Sequence, residues 1–136
     1  MSPVATEIAA PQSVLVVEDT RDDLELFATY LASAGFKVMT SMGREDTLAA
    51  AWSTPSPNAI LIDLVLGRDD GLEIVQALRE DARTASTPIV AITAAVPRYL
   101  PEVARKVGCD DFLTKPCPPD VVEAALRDAL ERSRRP

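Results

Sequence analysis

Apolar positions along this chain come in short continuous runs that alternate with stretches of helical spacing. Val14-Leu15-Val16-Val17 is unbroken and mostly β-branched, the pattern of a strand buried on both faces, and it stops at Glu18-Asp19. Leu24, Phe27, Ala28 and Leu31 then recur at helical intervals, and Gly35 follows as a left-handed cap. Phe36 to Thr40 reads as a second strand. Leu48, Ala51 and Trp52 mark a helix stopped by Pro55-Ser56-Pro57.

The alternation continues. Ala59-Ile60-Leu61-Ile62 predicts a third buried strand running into Asp63, and a loop with Gly67 leads to Asp70, placed to cap a helix with Glu73 three positions on. Leu72, Val75 and Leu78 form that helix's inner face. A fourth strand, Pro88 to Ile92, ends at Thr93. A proline-interrupted helical stretch runs through Val103 and Val107 to Gly108, and a fifth strand, Asp111 to Thr114, ends at Lys115-Pro116. Asp120 and Glu123 predict a capping pair for a last helix with Val122, Ala125, Leu126 and Ala129 inward.

Five strands alternating with five helices predict an α/β fold with a doubly wound parallel sheet, because parallel strands require crossover connections that cover both faces. Strand order does not follow from alternation. Residues 1–12 lack periodicity and read as a flexible tail, 13–132 as a single domain and 133–136 as a C-terminal tail.

Composition removes several function classes. A net charge of −7 sets the mean field against a nucleic-acid backbone, so no nucleic-acid partner is expected. No apolar run reaches the roughly 18 residues of a membrane span, and Met1 to Gln12 has no signal-peptide pattern, so the expectation is a cytoplasmic protein without membrane contact. The chain has no histidine, which excludes a phosphohistidine, a Ser-His-Asp triad or a histidine metal ligand of its own. Cys109 and Cys117 do not have zinc spacing and read as small core or loop residues.

In an open parallel sheet the carboxyl ends of the strands share one edge, and ligands bind in the crevice outside it. On this chain that edge collects Glu18, Asp19, Asp63, Thr93 and Lys115. Clustered carboxylates repel one another unless a cation intervenes. An all-oxygen set with incomplete protein coordination suits Mg²⁺, which keeps waters and accepts a phosphate oxygen. Metal, lysine and hydroxyl each stabilise the charge of a phosphoryl-transfer transition state, with Asp63 as the nucleophile.

From about Ser13 to Leu130 this pattern resembles the response-regulator receiver family: the acidic pair Glu18-Asp19, the phosphoacceptor Asp63 with downstream Asp70-Gly71, the hydroxyl of Thr93-Ala94, and Lys115-Pro116. The resemblance implies a flavodoxin-like (βα)5 fold with strand order 2-1-3-4-5 and a cis Lys115-Pro116 bond. It implies Mg²⁺ on Glu18, Asp19, Asp63 and the backbone carbonyl of Val65. Lys115, Thr93 and the Ala94 N–H would hold the phosphoryl oxygens, with Thr93 and Phe112 as switch residues. The implied partners are a histidine kinase or phosphotransfer protein and a downstream protein target, contacted through the surface of the fourth helix, fifth strand and fifth helix. The implied state is a monomer or a phosphorylation-dependent dimer. Such a domain is a signalling phosphoacceptor that catalyses only its own phosphorylation and dephosphorylation.

Some positions depart from the family or carry a second reading. Gly67 replaces a frequent proline and is expected to loosen the loop after Asp63. Phe112 lacks a phenolic hydroxyl, and plain core packing is its alternative. Pro97 and Pro101 predict a short or displaced fourth helix. Val65 and Ala95 cannot hydrogen-bond an attacking water, so hydrolysis of the phosphorylated form is expected to be slow. The rival function is a phosphorylation-independent interaction module on the same fold.

Overall fold

A computed structural model describes residues 11–94 and 96–134. Five strands, β1 (Ser13–Val17), β2 (Lys37–Ser41), β3 (Ala59–Asp63), β4 (Ile89–Thr93) and β5 (Asp111–Thr114), form one sheet. Five helices alternate with them: α1 (Arg21–Ser33), α2 (Arg44–Ala51), α3 (Gly71–Glu80), α4 (Leu100–Val107) and α5 (Pro119–Ser133). All pairings in the sheet are parallel, in the order β2-β1-β3-β4-β5. This is the doubly wound α/β fold, in the flavodoxin-like order that the family resemblance implied.

Side-chain alternation along the strands builds two cores. Leu15, Val17, Ile60, Ile62, Ile89 and Ala91 point to one face, where Ala51 of α2, Ile74, Val75 and Leu78 of α3 and Ala104 of α4 cover them. Val14, Val16, Ala59, Leu61, Val90 and Ile92 point to the other, against Phe27 and Leu31 of α1 and Val122, Leu126 and Leu130 of α5. Burying each large aliphatic side chain is worth about 1.5–3 kcal/mol, so neither face tolerates exposure. β3 and β4 are buried at every residue, which explains their unbroken apolar runs.

The order reverses at β1: the chain leaves it toward β2 on one side and returns to β3 on the other. That switch point opens the crevice between the carboxyl ends of β1 and β3. Backbone bonds fix the strand ends, from Glu18 N–H to Ser41 O (3.1 Å), Leu64 N–H to Ile92 O (3.1 Å) and Lys115 N–H to Thr93 O (2.9 Å).

Two local expectations, at Gly67 and at Asp120–Glu123, are corrected by the structure. The loop after Asp63 is an antiparallel hairpin, Val65–Leu66 with Asp69–Asp70, turning on Gly67 at φ 57°. Proline cannot adopt that angle, so Gly67 permits a defined turn rather than loosening the loop. Asp120 and Glu123 do not cap α5. That helix begins at Pro119 after an extended Pro118, which places Asp120 inside the first turn, and Glu123 instead accepts hydrogen bonds from Arg127 (2.8 Å) and Tyr30 (3.1 Å). α4 is short, as its prolines predict: Pro101 sits in the first turn, where its missing N–H costs nothing, and Pro97 precedes the helix. The tail expected over 1–12 falls, for residues 1–10, outside the described residues, as do residues 135–136 of the C-terminal tail, while Gln12 O accepts the Lys37 N–H at 2.9 Å.

Candidate functional site

The acidic pair follows β1 directly, and the end of that strand is deep in the fold, so Glu18 is fully buried. Among the described residues neither Glu18 carboxylate oxygen has a hydrogen-bond partner. Lys115 Nζ approaches Oε2 at 2.7 Å as an ion pair. Burial pushes the Glu18 carboxyl up to about 7; Lys115 pulls it back, and the neighbouring Asp63 charge pushes with the burial.

Asp63 ends β3 and is 5% exposed. Its Oδ1 accepts the Val65 N–H at 2.8 Å and its Oδ2 accepts from Lys115 Nζ at 2.8 Å, so both oxygens are aimed. Gly71 opens α3 directly behind this strand end. A Cβ there would lie 2.5 Å from Leu64 Cα and 2.8 Å from Asp63 O, so only glycine lets the helix start so near the acid. Asp70 caps that helix by accepting the Leu72 N–H at 2.9 Å.

Lys115 follows β5 on a cis Lys115-Pro116 bond. Its ammonium makes three contacts, to Glu18 at 2.7 Å and to Asp23 and Asp63 at 2.8 Å each. Burial works to lower the Lys115 pKa, but the hydrogen bonds to Asp23 and Asp63 and the ion pair with Glu18 outweigh it and raise the pKa above the usual lysine value. Thr93 ends β4 and is fully buried. Asp19, Asp63, Val65, Thr93, Ala94 and Lys115 line one cavity of about 440 Å³. Phe112 lies on β5 and packs, partly buried, on the core face shared with α4. Ala95 lies outside the described residues.

Asp23 was not singled out from the sequence. An acid in a helix's first turn ordinarily reads as a complement to the helix dipole. The available signal was its spacing, one helical turn beyond Asp19, which returns it to the same edge of the sheet.

The sequence profile of the response regulator receiver domain matches residues 14–127. The chain belongs to that family. It is 31% identical over 122 residues to the alkaline phosphatase synthesis transcriptional regulatory protein PhoP of Bacillus subtilis, covering 90% of this chain and 50% of that one. It is 34% identical over 131 residues to response regulator Rre1 of Synechocystis, covering 93% and 55%. The receiver thus spans about half the length of these curated relatives. Among solved structures, the chemotaxis protein CheY4 of Vibrio cholerae matches with a TM-score of 0.81 and 26% identity, over 88% of this chain and 99% of that one. A response regulator of Burkholderia pseudomallei, solved with a phosphorylated aspartic acid, calcium ion and citrate, matches with a TM-score of 0.75 and 25% identity over 89% and 69%.

This chain is therefore a receiver domain of the two-component response regulators, a signalling domain, and receivers typically bind Mg²⁺ at an acidic pocket. The residues here fit such an ion. Glu18, Asp19 and Asp63 each offer a carboxylate oxygen, all within 4.8 Å of one another. The buried Glu18 oxygens without hydrogen bonds are the acceptors a divalent cation would satisfy. Among the described residues no helix is long and apolar enough to cross a membrane.

Proposed function

We propose that this receiver accepts a phosphoryl group on Asp63 from a histidine kinase or phosphotransfer protein, in a Mg²⁺-dependent reaction, and thereby alters the α4-β5-α5 surface to control a protein partner. The observation that carries this reading is the convergence of Asp63, Asp19, Thr93 and Lys115 on one cavity, with Glu18 beside it.

Glu18, Asp19, Asp63 and the Val65 carbonyl would hold Mg²⁺, which when bound supplies positive charge to the transferring oxygens. An Asp63 carboxylate oxygen attacks phosphorus, the phosphorus–nitrogen bond of the donor breaks, and the leaving imidazole takes a proton from solvent. The product is an acyl phosphate. Lys115 follows the charge, exchanging its contact with Asp63 Oδ2 for a phosphoryl oxygen, while the Thr93 hydroxyl and the Ala94 N–H donate to the others. Thr93 turning toward the phosphoryl group makes room for Phe112 to move inward, which links the site to the α4 side of the sheet. Hydrolysis regenerates the Asp63 carboxylate as water displaces it from phosphorus. Val65, apolar and 53% exposed, offers that water no hydrogen bond from its side chain, which favours a long-lived phosphoryl group. The net charge of −7 argues against direct contact of this domain with nucleic acid.

The test is incubation with acetyl phosphate or beryllofluoride plus Mg²⁺, followed by mass and amide-spectrum changes. Wild type is expected to gain one phosphoryl group, with chelation abolishing the gain and Asp63→Asn gaining none. Labelling that persists in Asp63→Asn, or spectra unmoved by beryllofluoride in the wild type, would overturn the assignment.

A further inference from the structure

Lysine has three N–H donors, and in this receiver all three lie near carboxylates: Glu18 and Asp63, which belong to the strand ends, and Asp23, which belongs to α1. Asp23 Oδ2 accepts from Lys115 Nζ at 2.8 Å, as short as the bond to the phosphoacceptor itself. Its side chain is 35% exposed, against 8% for Asp63, so it stands toward the mouth of the site. Asp23 also lines both the 440 Å³ cavity and an adjoining one of about 320 Å³ that runs past Leu26, Phe27 and Cys117. It therefore occupies the boundary between the phosphoryl site and the α1 surface.

We infer that Asp23 is a positioning and donor-selecting residue: it holds the Lys115 ammonium on the α1 side of the cavity and adds a negative charge at its mouth, disfavouring small anionic phosphodonors. The inference rests on the reading of Asp63 as phosphoacceptor. A free anion approaching the site meets Asp23 in addition to the strand-end acids, and Lys115, while it exchanges Asp63 Oδ2 for a transferring oxygen, stays tethered to Asp23 on the α1 side. A phosphoryl group presented by a docked protein gains binding energy from contacts elsewhere, which offsets the same repulsion. Small donors have no such reserve.

Two variants separate charge from shape. Asp23→Asn keeps an acceptor oxygen and loses the charge; Asp23→Glu keeps the charge. Initial phosphorylation rates in Mg²⁺ would be compared for acetyl phosphate, a dianion near neutral pH, and phosphoramidate, which carries less negative charge. Asp23→Asn is expected to raise the acetyl phosphate rate about threefold to tenfold and the phosphoramidate rate less, the gap narrowing at high salt as screening takes over. Asp23→Glu should keep the wild-type donor ratio. A general packing defect would slow both donors alike, so an unchanged ratio in Asp23→Asn overturns donor selection.

The positioning role is read without phosphorylation. The Lys115 ammonium, held by three carboxylates, should give a slowly exchanging ¹⁵N–¹H₃ resonance, assigned by its loss in Lys115→Arg. Asp23→Asn should broaden or shift that resonance. A resonance indifferent to Asp23→Asn overturns the positioning role. If neither wild type nor Asp23→Asn takes a phosphoryl group from either donor, the Asp63 reading fails and donor selection falls with it, while the ammonium resonance still decides whether Asp23 holds Lys115.

Discussion

Lys115 and Arg79 are both drawn largely out of solvent, with 14% and 18% of the side chain exposed, and their surroundings are opposite in kind. Arg79 lies at the other end of α3 from the acidic edge. It donates to Gly108 O (2.9 Å), Thr84 O (3.0 Å), Ala85 O (3.3 Å), Thr87 O (2.7 Å) and Asp110 Oδ2 (3.0 Å). Asp110 Oδ2 also accepts the Ile89 N–H at 2.7 Å, so one cation and one anion tie the α3–β4 connection to the start of β5. Lys115 instead faces three carboxylates, and among the described residues Glu18 finds no hydrogen bond for either oxygen. A polar cluster that satisfies every member holds structure together. A cluster with surplus acceptors and too little positive charge sacrifices stability for a site that a visiting cation and anion complete.

The largest expected effect tests the satisfied half of this contrast. Arg79→Ala would take the guanidinium from the Thr87 and Gly108 carbonyls, leave Thr84 O with only the Thr87 N–H and leave Asp110 without its cation, a loss of about 2–4 kcal/mol. Urea unfolding measures it. A loss within about 0.5 kcal/mol would mean that this cluster is solvated well enough to be dispensable, and the contrast with Lys115 would not hold.

The surplus half predicts the reverse sign. Glu18→Gln removes a buried charge lacking hydrogen bonds beside Asp63, and in metal-free buffer it should stabilise the fold by about 1 kcal/mol. The same change should abolish the rise in melting temperature that Mg²⁺ gives the wild type, because the buried ligand is gone. Thermal scans of both proteins, with Mg²⁺ and with chelator, read both effects. Destabilisation in chelator would show that the Lys115 pair already satisfies Glu18.

The two clusters also differ in how far the sequence reveals them. Glu18, Asp63, Thr93 and Lys115 each follow a strand-like apolar stretch, so the alternation of strand and helix is enough to bring them to one edge. The sheet order was not legible that way; it came with the family resemblance, because alternation is compatible with several orders. Asp23 escaped notice because its local role, an acid in a first helical turn, is a sufficient explanation of its type. The Arg79 cluster left almost no trace, since four of its five acceptors are backbone carbonyls and any residue type supplies those. The hairpin at Val65–Asp70 is too short for a two-residue period to register. The Asp120–Glu123 pair fitted the capping pattern, yet Pro118-Pro119 sets the helix start two residues earlier than that pattern requires.

The smallest expected effect concerns a thiol beside the Arg79 cluster. Burial pushes Cys109 from its ordinary 9.0 up to about 12; the Arg79 guanidinium pulls against this and the Asp110 carboxylate adds to it. Burial outweighs a neighbouring cation because Arg79 already spends its charge on carbonyls and Asp110. The folded pKa therefore lies above the unfolded one, so the associated stability is complete below about pH 9 and is lost as pH rises toward 12. Between pH 8 and pH 10.5 the urea midpoint should fall more steeply in wild type than in Cys109→Ala. In native protein at pH 8 a disulfide reagent should modify the half-buried Cys117 at least about tenfold faster than Cys109. Equal rates would mean that the Arg79 cluster opens on the timescale of the reaction, and that its full set of hydrogen bonds does not make it the rigid half of the molecule.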